Sequence, residues 1–298
     1  MTNQSTNINT VFNTDGFSQN NSYGGFNGNG DNYASWTFRK QPKFFDVVTY
    51  TGDGSANRQI AHNLGSQPGC VIVKKTSGTG TWVTSVRDAT GSYNLALNET
   101  SADGMGDTIN NGFPNAFSST STTFKVDSIS SLTNVNTTGQ TYVAYLFASN
   151  AGGFGLTGTD NVISCGSFTK STATTTVTLG YEPQWVLFKQ TDSTSDWVIF
   201  DTMRGLTVTQ ADKGLYPNLS SAEDASAGMI PTSTGFDVTN YWGQSGEAYI
   251  YIAIRRGPMK TPTTTWRGRR RMLLRPTASA PGRPSASGDR PSARRRRS

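Results

Sequence analysis

Few side chains in this sequence could carry out acid–base, nucleophilic or metal chemistry. His62 is the one histidine, and Cys70 and Cys165 are the two cysteines. A nucleophilic cysteine needs a base partner, and a zinc site needs four ligands, mostly His or Cys. Both cysteines lie in apolar stretches, where a free thiol behaves as a small hydrophobic group. We therefore predict structural roles for all three residues, no metal site and no cofactor.

Carboxylates are a second possible source of chemistry, because two Asp or Glu residues suffice for glycoside hydrolysis. In the internal repeat described below, Asp192 aligns with Ser77 and Asp196 with Thr81, so the repeated unit contains no acid pair. We predict that the loop carboxylates are solvated turn residues and that the protein is not an enzyme. A glycan depolymerase is the alternative. Its candidate acids are Asp192, Asp196, Asp201, Glu223 and Asp224.

Two tryptophans are candidates for ligand binding. Trp82 and Trp197 occupy equivalent places in the repeat, and each follows a polar turn. An aromatic ring near the end of a loop can stack on a sugar ring, so carbohydrate recognition by Trp82 and Trp197 is one interpretation. Packing of a strand aromatic in the core is the other.

The elements that must position these residues are predicted to be strands. Hydrophobic residues make up 34% and charged residues 15% of the chain, and no window repeats apolar residues at helical spacing. The runs Cys70–Lys75 and Trp185–Gln190 are nearly continuous apolar segments, which is typical of a central strand buried on both faces. Short strands between turn signals favour a sandwich. We predict an all-β fold of tandem antiparallel β-sandwich-like modules with long loops and very little helix.

An internal repeat defines the modules. The segment Leu64–Lys74 matches Leu179–Lys189 at an offset of 115 residues. Self-similarity at a fixed period indicates repeated structural units. The predicted divisions are the end of an incomplete module (1–41), a first full module (45–148), a Gly-rich linker (149–159), a second full module (160–260) and a disordered Arg/Pro-rich tail (261–298).

The same offset assigns counterparts to two of the chemically interesting residues. His62 aligns with Val177, and Cys165 aligns with Tyr50. On this alignment the repeated fold requires no imidazole at the position of His62.

The stretch Gly30–Phe38 aligns with Gly139–Phe147, the closing strand of the first full module. We therefore predict that residues 1–40 are the last strands of a module whose front part is absent. Without partner strands they should pack on a neighbouring module or be poorly ordered. The surroundings of the aromatic residues Tyr33, Trp36 and Phe38 are expected to show which of these two outcomes occurs.

The net positive charge of the chain comes from its end. The net charge is +6, but from Trp266 onward there are eleven Arg, no Lys and one acid, Asp289. We predict that this tail is disordered. It is either a polyanion-binding arm or the product of translation in a shifted reading frame, which its abrupt change in residue usage favours. Since the body of the chain is net acidic, nucleic-acid binding is not expected.

Several phrases resemble a known group of proteins: FFDVVTYTG, TYVAYLFA, GYEPQWVLFK, DWVIFDTMRG and AYIYIAIRRGPMK. They resemble virion structural proteins of marine and environmental tailed bacteriophages, usually described as tail-fibre or tail-associated proteins. The similarity covers about residues 12–262. It implies an all-β virion protein that forms a homo-oligomer, with a trimer favoured for a fibre, and it supplies no catalytic residues.

From these observations we expect a structural and adhesive segment of a phage tail fibre, non-enzymatic, that presents or supports a host-receptor surface. Its expected partners are other virion tail proteins and a host-surface glycan. No apolar run is long enough for a membrane helix, and the first residues lack the pattern of a secretory signal. We therefore expect synthesis in the host cytoplasm and residence in the virion tail. A tailspike-type depolymerase and a free-standing carbohydrate-binding module are the alternatives.

Overall fold

The computed structural model of the chain describes residues 10–19, 28–89, 91–102, 119–126, 135–206, 213–225, 228–240 and 242–257. Residues 1–259 form one compact unit. The Arg-rich tail, for which the sequence predicts disorder, lies outside the described residues, as do residues 103–118 and 207–212.

Within these described ranges every regular element is a β-strand, which confirms the all-β prediction. In chain order the strands are β1 (Thr10–Phe12), β2 (Phe17–Gln19), β3 (Phe45–Thr51), β4 (Arg58–Ala61), β5 (Pro68–Lys75), β6 (Trp82–Arg87), β7 (Ser92–Ala96), β8 (Thr123–Val126), β9 (Thr141–Ala148), β10 (Ile163–Thr169), β11 (Thr175–Thr178), β12 (Pro183–Gln190), β13 (Trp197–Asp201), β14 (Lys213–Gly214), β15 (Asp224–Ala225), β16 (Met229–Thr232), β17 (Gly235–Val238) and β18 (Ala248–Arg255).

Each half of the body contains a large sheet and a small sheet. In the first module the large sheet has the order β3-β9-β5-β6-β7, and the small sheet pairs β4 with β8. In the second module the orders are β10-β18-β12-β13 and β11-β17-β16. The shared strands pair in the same antiparallel pattern, so the repeat in sequence is also a repeat in topology.

The small sheet covers one face of the large sheet in each module. Phe124 on β8 and Phe236 on β17 are fully buried, and they pair with Ile60 and Val177 on the neighbouring strands. Complete burial of a side chain of this size contributes about 1.5–3 kcal/mol. These residues form the inner core of each sandwich.

The remaining faces of the two large sheets pack against each other. Leu187 and Trp197 of the second module share one apolar core with Ile72 and Leu95 of the first. The indole Nε1 of Trp197 donates a hydrogen bond to the carbonyl oxygen of Ala96 at 2.7 Å. The body therefore has four layers, in the order small sheet, large sheet, large sheet, small sheet.

Close approach of the two modules requires a glycine at one position. A Cβ on Gly69 would lie 2.4 Å from Cβ of Ser149 and 3.0 Å from both Cβ and Sγ of Cys165. The sheet register shifts at this point, between Pro68 and Cys70, because proline has no N–H to donate to the ladder. The packing of the modules thus depends on the local geometry at the start of β5.

Strand pairing corrects one of the alignments made from sequence. Tyr50 pairs with Tyr142, and Phe168 pairs with Tyr249. Since Tyr249 is the counterpart of Tyr142 in the closing strand, the counterpart of Tyr50 is Phe168. The alignment of Tyr50 with Cys165 was wrong.

The counterpart predicted for His62 was also wrong. The N–H of His62 donates to the carbonyl of Thr122, and the N–H of Leu179 donates to that of Thr234, both at 2.8 Å. The two threonines are equivalent in the repeat, so His62 corresponds to Leu179 and not to Val177. The cause is a longer connection between β4 and β5 than between β11 and β12, which a constant offset does not accommodate.

Strands β1 and β2 form a hairpin with the register of the β16–β17 hairpin. Phe12 pairs with Phe17, as Pro231 pairs with Phe236. Phe236 is buried beneath a large sheet, whereas Phe12 is 78% and Phe17 39% exposed. The hairpin therefore has the pairing of a small sheet without the covering layer that the full modules have.

Residues 31–40 are not a strand, although their sequence aligns with the closing strands. The strand prediction for this stretch was wrong. A closing strand is a central strand, paired on both sides as β9 is between β3 and β5, and this stretch has no such neighbours. Trp36 and Phe38 instead pack against the core of the body, while Tyr33 is 51% exposed. Of the two expected outcomes for residues 1–40, packing on a neighbouring module is observed here.

Candidate ligand-binding cleft

Residues 32–39, which we call the strap, lie against both modules. The Phe38 ring meets Phe147 of the first module edge-on, with ring centres 5.8 Å apart, and Trp185 of the second module at 6.0 Å. Between Asn32 and Lys40 the strap takes part in no described backbone–backbone hydrogen bond. Side chains alone therefore hold it in place.

The strap and the second module enclose a cleft of 1120 Å³. Aromatic and charged side chains meet in it, which is the mixture expected where a polar ligand with an apolar face binds. From the strap it includes Trp36, and from the second module Gln184, Trp185, Met203, Arg204 and Glu223.

An ion network forms one wall of the cleft. Arg204 donates from Nε to Asp201 Oδ2 at 2.6 Å and from Nη1 to Glu223 Oε2 at 3.1 Å. The guanidinium lies over the Trp36 ring at 5.4 Å, and Nε1 of Trp36 donates to Asp201 Oδ2 at 3.3 Å. A cation over an indole face is an attractive contact. The network therefore fixes the central aromatic residue of the strap.

Asp201 is fully committed to this network. Its Oδ1 accepts hydrogen bonds from the backbone N–H groups of Met203 and Arg204, both at 3.0 Å, and its Oδ2 accepts from Arg204 and Trp36. A carboxylate offers about four acceptor sites. Asp201 therefore orders the wall of the cleft and has no acceptor site left for a substrate.

A second, smaller pocket of 390 Å³ lies on the other side of Trp36. Its walls include Trp82 and Tyr145, whose ring centres are 6.2 Å apart at an interplanar angle of 18°, and Phe12 of the N-terminal hairpin. Lys74 Nζ lies 5.5 Å from the centre of the Trp82 ring, and burial lowers the pKa of Lys74. No charged residue lines this aromatic pocket among the described residues.

The sequence profile of a domain of unknown function, DUF7483, matches residues 1–258. The chain belongs to this family. Comparison with curated proteins and with solved structures gives no match. The DUF7483 match extends over both modules and the strap, and the family description names no activity.

The structure separates the two tryptophans that the sequence offers as ligand-binding candidates. Backbone N–H groups of both bond to an asparagine, Trp82 to Asn98 at 2.8 Å and Trp197 to Asn218 at 3.0 Å. The surroundings differ, however, because Trp197 is fully buried between the modules while Trp82 lines the aromatic pocket. Trp197 has no face free for a sugar, so Trp82 is the one of the pair that stays a ligand-binding candidate.

The histidine and the cysteines of this DUF7483 chain lie in its core. His62 is 5% exposed, its Nδ1 accepts from the N–H of Leu64 at 3.1 Å, and burial lowers its pKa. Cys70 and Cys165 are buried, and burial raises the pKa of the Cys165 thiol to about 12 and that of Cys70 as well. Neither thiol is poised to form a thiolate at neutral pH.

The loop carboxylates are not all brought together. Asp192 accepts hydrogen bonds from the side chain of Gln190 and the backbone of Ala248, both at 2.9 Å, and Asp196 accepts from Asn218 at 2.7 Å. These are turn-stabilising contacts. Asp201 and Glu223 do converge, on Arg204, and the side chain of Asp224 lies outside the described residues.

Within the part of the chain that the structure describes, no three potential metal ligands cluster. The same residues include no helix of the length and apolarity needed to cross a membrane.

The cleft is the feature that sequence reasoning missed. Its wall combines Trp36 with Asp201 and Arg204, two residues that lie more than 160 positions further along the chain. Trp36 was singled out only as a reporter of packing. Asp201 and Arg204 are three residues apart and oppositely charged, so the sequence indicates a local ion pair between them. Nothing in the sequence indicates that the strap lies beside this pair.

Proposed function

We propose that the chain is a structural and adhesive segment of a phage tail fibre, non-enzymatic, that binds a host-surface glycan in the cleft beside Trp36. The observation that carries this proposal is the cleft itself, in which an indole ring fixed by Arg204 stands among polar side chains. The phrases shared with tail-associated proteins support the virion context. We further propose a homo-oligomer, with other tail proteins as partners.

The architecture supports an adhesive role. Four sheet layers with a continuous apolar core between the modules make a rigid body, and a rigid body holds a binding site in a fixed orientation. Repeated copies of such a body along a fibre would raise avidity without any new contact, because the second binding event becomes intramolecular.

A glycan array tests this function. The full chain is expected to be retained by a subset of glycans, and Trp36→Ala is expected to lose that retention because it removes the ring and opens the wall of the cleft. Trp82→Ala serves as the matched variant in the aromatic pocket. Retention of no glycan, or equal retention by wild type and Trp36→Ala, would contradict the proposed site.

A tailspike-type depolymerase is a second candidate, because Asp201 and Glu223 line the same cleft. Against it, Arg204 lies between the two carboxylates, and the acceptor sites of Asp201 are already occupied by protein donors. Incubation with each retained glycan and assay of new reducing ends distinguishes the two functions. We expect no cleavage. Cleavage that Glu223→Gln abolishes would establish the enzyme.

A further inference from the structure

The cleft contains hydrogen-bond donors that the described contacts leave unused. Nε1 of Trp185 is buried without a partner, in a side chain that is 8% exposed. Gln184 uses its Oε1, which accepts from the N–H of Gly257 at 3.5 Å, and its amide N–H groups have no partner among the described residues. Arg39, an exposed residue, lines the same cleft and has no described ion pair.

The acidic groups of the cleft, in contrast, are occupied. Asp201 has four donors, and Glu223 is paired with Arg204. The third arginine of the lining, Arg255, is paired with Asp160 at 3.1 Å. Both carboxylates of the cleft are therefore already paired, and the one charge in it without a described partner is positive.

We propose that the cleft selects an anionic saccharide, whose acid group accepts hydrogen bonds from Arg39, Gln184 and Trp185 while its ring packs on Trp36. This inference rests on the proposed function and specifies the ligand. Hydrogen bonds between charged partners are roughly twice as strong as neutral ones, and a ligand that pairs a buried orphan donor removes a desolvation cost. These two effects favour an acid over the neutral sugar of the same shape.

Access to Trp185 requires a small movement of the strap, because its Nε1 lies below the surface. The strap can make that movement without breaking backbone hydrogen bonds, since none is described between residues 32 and 40. Phe38 belongs to the strap and contacts Trp185 edge-on, so it would move with the strap. Binding and strap movement are therefore coupled.

The test is a calorimetric titration of the full chain with a galacturonate oligosaccharide and with its methyl ester, which has the same rings and no charge. We expect the acid to bind at least tenfold more tightly, the effect of one charge-assisted hydrogen bond. A sulfated galactose oligosaccharide of equal length shows whether carboxylate or sulfate is the better anion. Equal affinity for acid and ester would overturn the inference and leave glycan adhesion standing. Binding of neither would also overturn the inference, whereas glycan adhesion itself fails only if the array retains no glycan.

Cleft variants separate this site from the Arg-rich tail, which attracts polyanions by charge alone. Arg39→Gln and Trp185→Phe are each expected to weaken binding of the acid about tenfold. Lys125→Gln matches the charge loss of Arg39→Gln on strand β8, and Trp242→Phe matches the loss of an indole N–H. Both controls should bind as wild type. Wild-type affinity in the two cleft variants would assign the anion binding to the tail and overturn the inference.

Discussion

At the scale of single residues, Lys189 is a buried cation. Its side chain is inaccessible to solvent, and its Nζ donates to the carbonyl of Gln190 at 2.5 Å. No carboxylate within the described residues lies at ion-pair distance. Burial lowers the pKa of Lys189 to about 8, and the more distant charges of Asp196 and Asp192 oppose that shift. The folded protein therefore carries a desolvated charge at neutral pH.

The Lys189→Met variant should be more stable than wild type at pH 7, by about 2–3 kcal/mol, because one pKa unit corresponds to about 1.4 kcal/mol. The pKa of Lys189 is about 8 in the folded state and near 10.5 in the unfolded chain. The unfolded chain thus binds more protons in that range, and wild-type stability rises with pH across it. The difference in the free energy of unfolding between the variant and wild type should therefore become smaller as pH rises from 8 to 10.5. Denaturant unfolding at several pH values measures both effects.

Lys74→Met provides the matched control, because Lys74 occupies the equivalent position and is only partly buried. Its substitution should change stability by less than about 1 kcal/mol. If the Lys189→Met variant is no more stable than wild type at pH 7, interactions in the folded protein must offset the desolvation cost of the buried ammonium group.

At the scale of elements, the strap is held by side chains rather than by a sheet. Trp36 is bonded to Asp201 and lies beneath Arg204, whereas Tyr33 donates only to nearby Asp31 at 3.3 Å. Local stability is low where backbone hydrogen bonds are absent. The lifetime of the bound strap should therefore depend on Trp36.

Limited trypsin digestion tests that dependence, since Arg39 and Lys40 are cleavage sites in or next to the strap. Trp36→Ala should be cut there several-fold faster than wild type, because the anchor that keeps the strap against the body is lost. Tyr33→Ala should be cut at the wild-type rate. Equal rates for Trp36→Ala and wild type would show that Phe38 alone retains the strap.

The contrast between the strap and the closing strands shows where sequence reasoning stops. The pattern of Cys70–Lys75 predicts a buried central strand because its residues are apolar on both faces, and β5 is one. The stretch Gly30–Phe38 has the same alternation as β9 but lacks neighbours to pair with. Strand pairing is a property of the surrounding sheet, so the segment's own sequence does not reveal whether it forms.

At the scale of the whole molecule, the modules are joined through the unused faces of their large sheets. Trp197 is fully buried in this contact, and its Nε1 donates a hydrogen bond to the first module. Trp82, its equivalent, borders an open pocket instead. The two tryptophans are indistinguishable in the sequence repeat, and only the packing of one module on the other decides which is buried. The cleft likewise depends on tertiary packing, because it forms only where the strap lies against the second module, and this explains why the site could not be predicted.

Trp197→Ala should lower the free energy of unfolding by about 3–5 kcal/mol, the usual cost of deleting a large buried side chain. Trp82→Ala should cost less, because its ring is only partly buried. Calorimetry of the two variants measures the difference. Equal losses would mean that the contact between the modules contributes little to stability.

The central claim is that the body of this chain binds a glycan at Trp36 and leaves it intact. The most direct measurement is one titration of a retained glycan into wild type and Trp36→Ala, followed by mass spectrometry of the recovered glycan. Our account predicts saturable binding by wild type, at least tenfold weaker binding by Trp36→Ala, and glycan of unchanged mass from both. Cleaved glycan, or equal binding by the two proteins, would contradict it.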